Sequence, residues 1–265
     1  MSSNEKQILE SYALGKVEDG RENLSRYAGI EFHYTKKHLA PYIDKSKTIL
    51  EVGCATGYYG MYYADKCKEY VGIDIVPAHI EIFREKIKNA GFDNVFCSVG
   101  DATNLSHIPA ESYDVVLCLG PMYHLPEEER KQAMKECKRV CKSGGILAFA
   151  YISKIGCYAG ACVHDELRKY YPSELANING LIKNTDDKRP GLFFYSTPED
   201  MNALADECGL SKIKNLGTDF FITMSIVNNM TDEQVELLKP LYDNMTSFES
   251  CTGMANHALL ICRKN

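Results

Sequence analysis

Short apolar runs alternate along the first part of the chain with longer segments whose apolar positions recur at helical spacing. The runs are "TILEVG", "EYVGIDI", "NVFCSVGD", "YDVVLCLG" and "ILAFAYIS". Each is continuous rather than alternating, as strands covered on both faces are. Between them lie "YYGMYYADKC", "AHIEIFREKIKNAG" and "PEEERKQAMKECKRVCKSGG". The second of these begins behind Pro77 and stops at Gly91, and the third opens on Pro126 and three glutamates and closes on Gly144-Gly145. Acids first and bases last suit a helix dipole. A short helix is expected over Asn104 to Ile108. Strand-helix alternation of this kind predicts a parallel sheet with helices on both faces, its ligands beyond the carboxyl ends of the strands.

After Ser153 the rhythm changes. "HDELRKYYPSELA" has helical character and "NTDDKRPG" is polar. Then "TPEDMNALADECG" reads as a helix with Thr197 as N-cap and Gly209 as stop, Leu210 to Gly217 as a sixth strand, "TDEQVELLKPLYDNM" as a second Thr-capped helix, and "HALLICRK" as a seventh strand. The expected organisation is a helical segment over residues 1–45 covering the ligand site and a nucleotide-binding core over 46–154. A cap or lid follows over 155–197, and 198–265 return to the core with strands 6 and 7. The expected fold class is α/β. It is a Rossmann-like, mostly parallel seven-stranded sheet with helices on both faces, an antiparallel last strand and an inserted cap.

Composition narrows the function. The formal net charge is −6, with Lys and Arg scattered, which argues against a broad phosphate-binding surface and so against a nucleic-acid partner. No run approaches the ~18 apolar residues of a membrane span. The polar start "MSSNEKQILESYALGK" does not read as a signal peptide, so a reducing cytoplasm is expected. Eleven cysteines occur without a Cys-x-x-Cys; they are expected to be small buried hydrophobes, and no metal site is expected.

The chemistry concentrates in "ILEVGCATGYYG". A dinucleotide loop needs Gly-x-Gly-x-x-Gly, but Gly53 is followed by Ala55 and Tyr58 where the second and third glycines belong. Glu51 stands two residues before Gly53, where a pyrophosphate would be repelled and a cationic ligand or a hydroxyl donor suited. Asp74 ends the second strand, placed to accept ribose hydroxyls, and Asp101 follows the third, placed to accept from an exocyclic amine beside the Ala102 backbone N–H.

Together these residues resemble the class I S-adenosylmethionine-dependent methyltransferases, whose first motif, an acid, any residue, then Gly-x-Gly-x-Gly, is here "EVGCATG" with Ala55 as the middle residue. The likeness covers about residues 21 to 153 and the final strand. It implies that Gly53, Cys54, Ala55 and Gly57 line the methionine portion of S-adenosylmethionine, with Glu51 behind them. Asp74 and Ile75 would bind the ribose side, Asp101 and Ala102 the adenine, and Leu119 and Gly120 would lie near the sulfonium. S-adenosylhomocysteine would be the product. "LGPMYHL" lacks the Asn/Asp-Pro-Pro-Tyr/Phe of amide and base amine methylation and is similar to a bacterial small-molecule branch. That branch also carries an "SR…G.EF" segment, here "SRYAGIEF", which would bring Tyr27, Phe32 and Thr35 over the cofactor. Tyr58, next to Gly57, is the expected pocket tyrosine.

The expected acceptor is a small molecule. His124, with Tyr123 beside it, is the leading catalytic candidate, since an ordinary histidine titrates near ~6.5 and this one follows the reactive loop; His257 is a second candidate. The alternative for His124 is that it caps or orients the next helix. Cap aromatics including Tyr158, Tyr170, Tyr171, Phe193, Phe194, Tyr195, Phe220 and Phe221 either wall the acceptor or fill the core. Other readings stay open: an NAD-dependent oxidoreductase, a non-catalytic module that binds S-adenosylmethionine, and, less favoured by the acidic balance, a nucleic-acid methyltransferase. The acceptor atom and the oligomeric state are not indicated.

Overall fold

The computed structural model describes residues 3–13, 18–163 and 192–265. Its centre is a seven-stranded sheet of order β3-β2-β1-β4-β5-β7-β6. The strands are β1 (Thr48–Val52), β2 (Glu69–Asp74), β3 (Val95–Val99), β4 (Tyr113–Cys118), β5 (Cys141–Ile152), β6 (Leu210–Gly217) and β7 (His257–Lys264). β1 pairs in parallel with both β2 and β4, so the strand order reverses there and a crevice opens beyond their carboxyl ends. β7 alone runs against its neighbours, antiparallel to β5 and to β6. The expected seven-stranded sheet with a reversed last strand is the fold observed.

Successive strand residues point to opposite faces, and here both faces are apolar. Ile49, Val115, Leu117, Ala148, Leu259 and Ile261 share one core with Phe32, Leu39, Tyr59, Tyr63, Ile80 and Phe83. Those six come from α2 (Arg26–Leu39), α3 (Tyr58–Tyr63) and α4 (Pro77–Ala90). Leu50, Val52, Val116, Cys118, Leu147, Phe149 and Leu260 meet Ala133, Met134, Cys137, Met201 and Ala205 on the other face. The last five lie on α5 (Glu127–Val140) and on α7 (Pro198–Glu207), which follows α6 (Lys154–Val163). Among the described residues no helix is long and apolar enough to cross a membrane.

The helix signals work as capping chemistry predicts. Thr197 and Asp200 form a reciprocal capping box on α7, and Thr231 and Gln234 form another on α9 (Asp232–Met245), which follows α8 (Met224–Asn228) and precedes α10 (Glu249–Thr252). Ser25 caps α2 by accepting the Ala28 N–H at 3.1 Å.

Two local expectations are corrected. Asn104 to Ile108 is not a helix but a series of turns. The Asp101 carboxylate takes both the N–H and the hydroxyl of Thr103 at 2.8 Å, and the Asn104 side chain takes the Ser106 N–H. Side chains that satisfy the backbone locally compete with helix formation. The fifth helix ends at Val140 rather than at Gly144-Gly145, because Cys141 already pairs with Tyr113 across a register shift that starts β5 early. Of the cap, α6 and residues 192–197 are described; "HDELRKYYPSELA" with Tyr170 and Tyr171, and "NTDDKRPG" up to residue 191, lie outside the described residues.

Candidate active site

A cavity of about 540 Å³ opens at the carboxyl ends of β1, β2 and β4. That is a size typical of small-ligand sites. Its floor is the loop after β1. Gly53 adopts φ +75°, and a Cβ there would lie 2.5 Å from Pro121 Cδ, so only glycine lets the β1 and β4 loops close on each other. Ala55 also sits in the left-handed region, at φ 44°. The motif's middle position therefore keeps the backbone shape of glycine while carrying a methyl group.

Of the residues assigned to the cofactor from the sequence, Phe32, Thr35, Glu51, Gly53, Cys54, Ala55, Tyr58, Asp74, Ile75, Asp101, Ala102, Leu119 and Gly120 line this cavity, as do Tyr123 and His124. Tyr27 and Gly57 do not. Tyr27 stacks on Phe221 at 5.8 Å, behind the wall, where burial and the Asp219 carboxylate push its phenol well up. Gly57 caps α3 at φ +83°, and a Cβ there would overlap the Phe83 ring. It is a packing glycine.

The acids are held in distinct ways. Asp74 accepts from the Ala55 N–H at 2.8 Å through one oxygen. The other takes the Val76 N–H at 2.9 Å and faces His79 Nδ1 at 3.1 Å. An ionised carboxylate offers about four acceptor sites, so capacity remains on the first oxygen for a hydroxyl in the cavity. Asp101 likewise holds a turn and keeps a lone pair on each oxygen. Glu51 is buried in the sheet, accepting from the Tyr70 hydroxyl, and burial pushes its carboxyl up to about 8.

His124 is engaged at both ring nitrogens. Nδ1 lies 2.8 Å from the Leu192 carbonyl and Nε2 3.4 Å from the Tyr12 hydroxyl, while Phe193 and Tyr12 flank the ring. Burial holds it below the ordinary histidine value. It does not cap the next helix, whose N-cap is Pro126 with no side-chain bond. Instead it joins the N-terminal segment after α1 (Ser3–Ser11) to the residues that return from the cap.

Sequence reasoning passed over Arg21 and Glu31, which line the cavity, and Asp219, the partner of the second candidate His257. Arg21, held by Glu18 at 3.0 Å and Glu31 at 3.2 Å, lies over the Phe32 ring; Glu31 above all keeps its guanidinium charged. Glu31 is a buried acid in the α2 row Tyr27, Glu31, Thr35, and an acid on an apolar helix face was the available signal. His257 and Asp219 stand opposite each other, with Nδ1 3.1 Å from each carboxylate oxygen. Asp219 carries no local motif. His257 opens an antiparallel strand, which places its first residue at the carboxyl edge of the parallel ones, against Ile152.

The cavity wall is thus acidic. Glu18, Glu31, Asp74 and Asp101 line it as acids, with Glu51 held toward its neutral form by burial, against Arg21 as the one Lys or Arg among the described lining residues. Such a wall suits a ligand that carries positive charge and hydroxyl donors and disfavours a diphosphate.

Known proteins share part of this sequence and its fold. Residues 49–145 match a family model described as a methyltransferase domain. An uncharacterized methyltransferase-like protein of Schizosaccharomyces pombe is 34% identical over 110 residues, 41% of this chain and 40% of that protein. A ubiquinone biosynthesis O-methyltransferase of Idiomarina loihiensis is 26% identical over 162 residues, 56% of this chain and 65% of the relative. This chain therefore spans less than two thirds of either relative. The N-methyltransferase NodS of Bradyrhizobium japonicum, solved with S-adenosyl-L-homocysteine, shares the fold with a TM-score of 0.59 and 15% identity over 99% of each chain.

Proposed function

We propose that this chain, whose core belongs to the class I S-adenosylmethionine-dependent methyltransferases, transfers the methyl group of S-adenosylmethionine to a small-molecule acceptor held in the same cavity. The acidic wall carries the reading. A sulfonium with an α-ammonium and a ribose diol is a cation with hydroxyl donors. Glu51, Asp74 and Asp101, at the ends of three adjacent strands, are acceptors for such groups. A nicotinamide dinucleotide would bring its diphosphate against the same carboxylates, which disfavours the oxidoreductase alternative.

In this arrangement Asp74 would accept a ribose hydroxyl on its uncommitted oxygen and Asp101 the adenine amine. The Gly53–Ala55 backbone would pass beneath the methionine portion, with Phe32 and Thr35 closing over it. Leu119 and Gly120 would then flank the sulfonium, and the acceptor would lie beyond them toward Tyr123, Ile152 and Phe221. Alignment of a nucleophile with an activated methyl, and exclusion of water, is most of what the protein must supply.

A small acceptor fits this cavity, its aromatic lining, and a chain of net charge −6 without a basic stripe. The free cysteines of the described residues fit a reducing, cytoplasmic setting. The names of the two relatives, an O-methyltransferase and an N-methyltransferase, leave the acceptor atom open.

Titration calorimetry with S-adenosylmethionine, S-adenosylhomocysteine and NAD tests the reading. The first two are expected to bind and NAD is not; NAD binding in their place would overturn it. Binding without turnover on any acceptor would favour the non-catalytic module.

A further inference from the structure

We propose that His257, oriented by Asp219, is the general base of the reaction, and that the acceptor is a flat aromatic hydroxyl compound methylated on oxygen. The proposal rests on the methyltransferase reading above and deepens it.

The dyad is built rather than incidental. Asp219 follows β6 and is buried; it accepts the His257 backbone N–H at 2.7 Å and the Asn256 side-chain amide at 3.3 Å. The Asn256 backbone N–H donates to the Asp219 carbonyl at 2.9 Å. Main chain and side chain therefore fix the two residues together. Nδ1 also lies 2.9 Å from the Asn256 amide nitrogen, but the two Asp219 oxygens at 3.1 Å only accept and assign Nδ1 the hydrogen, so in that neutral tautomer Nε2 is the basic atom. The described residues give Nε2 no hydrogen-bond partner, and His257 lines the cavity.

The groups facing His257 favour its protonated form. Glu31 Oε2, from α2, lies 3.6 Å from Nδ1, and Asp219 lies 3.1 Å away. Arg21, paired to Glu31, opposes them, and the Tyr123 ring stands 6.5 Å off. Burial pulls the imidazole down, but Glu31 and Asp219 outweigh it, and the ring titrates above the ordinary histidine value. Asp219 itself is held below the carboxylate range by His257, against its burial.

Position fits the task. His257 pairs with Ile152 at the end of β5, next to β4, whose end carries Leu119 and Gly120. Adjacent strands lie about 4.8 Å apart, so roughly 10 Å separates the two ends. That is room for one acceptor between donor and base. Tyr123, Phe193 and Phe221 supply flat walls there.

The chemistry selects the acceptor class. Neutral amines attack without prior loss of a proton, and thiols ionise readily, so a built base points to a hydroxyl. A phenol, near ~10, is within about 3.5 pKa units of an ordinary imidazole, whereas aliphatic alcohols lie much further away. In the step, the hydroxyl oxygen forms a bond to the sulfonium methyl carbon. The carbon–sulfur bond breaks with its electron pair staying on sulfur, and the hydroxyl proton passes to His257 Nε2. The products are a methyl ether, a thioether and an imidazolium lodged between Asp219 and Glu31.

The test uses the full chain with S-adenosylmethionine and a panel of catechol, aniline and thiophenol, alongside S-adenosylhomocysteine calorimetry. Catechol methylation is expected. His257→Gln should lower kcat by roughly 10²-fold or more and leave S-adenosylhomocysteine affinity within about threefold. Glu31→Gln should move the acidic limb of the kcat profile to lower pH, because Glu31 raises His257; a merely structural role would not move it. Catechol turned over by His257→Gln at the wild-type rate, or only aniline or thiophenol methylated, would overturn the proposal while leaving the methyltransferase reading intact. Failure of S-adenosylhomocysteine to bind the wild type would overturn that reading instead. If no acceptor turns over, 4-nitrocatechol added to the S-adenosylhomocysteine complex decides the matter. Its ionised spectrum should appear below its free ionisation pH with wild type and not with His257→Gln; no such spectrum with wild type overturns the proposal.

Discussion

The Asp74 carboxylate accepts the Ala55 N–H at 2.8 Å, tying the end of β2 to the left-handed turn after β1. One side chain thus shapes the loop after β1 and, in the proposed arrangement, would offer the ribose an acceptor. Asp74→Ala removes both. Loss of a charged acceptor is worth about 1.5–3 kcal/mol, so S-adenosylhomocysteine affinity should fall roughly 10- to 150-fold by calorimetry. Asp74→Asn should fare little better, since its amide group would present a donor to the Ala55 or Val76 N–H. Unchanged affinity in the alanine variant would mean that the ribose is held elsewhere.

Glu51 is a carboxyl buried in the sheet, with the Tyr70 hydroxyl as its hydrogen-bond donor. Its carboxyl titrates near about 8 when folded, chiefly through burial, against an ordinary value of 4.5. A carboxyl raised on folding binds its proton more tightly in the native state. Its presence is therefore harmless below about pH 4.5 and increasingly destabilising as pH rises toward 8. Glu51→Gln, which can still accept from Tyr70, should be more stable than wild type at pH 8 by roughly 1–3 kcal/mol and about equal at pH 4.5, read by denaturant melts. The same variant should bind S-adenosylhomocysteine more weakly. A variant less stable at pH 8 would show that Glu51 is ionised and satisfied without ligand.

Gly57 gives a different kind of test. It belongs to the motif, yet it lies outside the cavity and its missing Cβ makes room for Phe83. Gly57→Ala should cost about 1–3 kcal/mol from overpacking and a left-handed backbone. Phe83→Leu should restore part of that stability in the double variant. Cofactor affinity of the folded fraction should stay within a few-fold of wild type. A large loss of affinity with no loss of stability would return Gly57 to the ligand.

Most of the sheet was legible because β1, β2, β4 and β5 are largely buried and so read as uninterrupted apolar runs, and because acids and glycines mark the strand ends; β3 reads the same way although it is an edge strand with Phe96 and Val99 about half exposed. Glu51, Gly53, Asp74 and Asp101 follow from that pattern. What stayed hidden depends on pairings that only the packed fold brings together. Arg21 meets Glu31 through the packing of α2, and Asp219 meets His257 only because β6 and β7 are neighbours. Neither pair leaves a local spacing. The expected helix over Asn104 to Ile108 failed for the opposite reason, since Asp101 and Asn104 satisfy the backbone themselves.

His124 separates two roles that the sequence leaves level. Its Nδ1 faces a carbonyl, which only accepts, so the neutral ring donates there and receives the Tyr12 hydroxyl at Nε2. This joins the N-terminal segment to Leu192 at the cavity wall, an arrangement that would make His124 a latch on a bound ligand. Two such bonds are worth about 1–3 kcal/mol together. His124→Ala should therefore speed S-adenosylhomocysteine release roughly 5- to 150-fold in stopped-flow experiments, and Tyr12→Phe should reproduce the part owed to Nε2. Burial holds His124 below the ordinary histidine value, so its contribution is present above about pH 6.5 and lost as pH falls through its lowered pKa. Release should accelerate over that acidic range in wild type and not in His124→Ala. Should the variant instead lose turnover by more than about 10²-fold with release unchanged, His124 is a base and the latch is wrong.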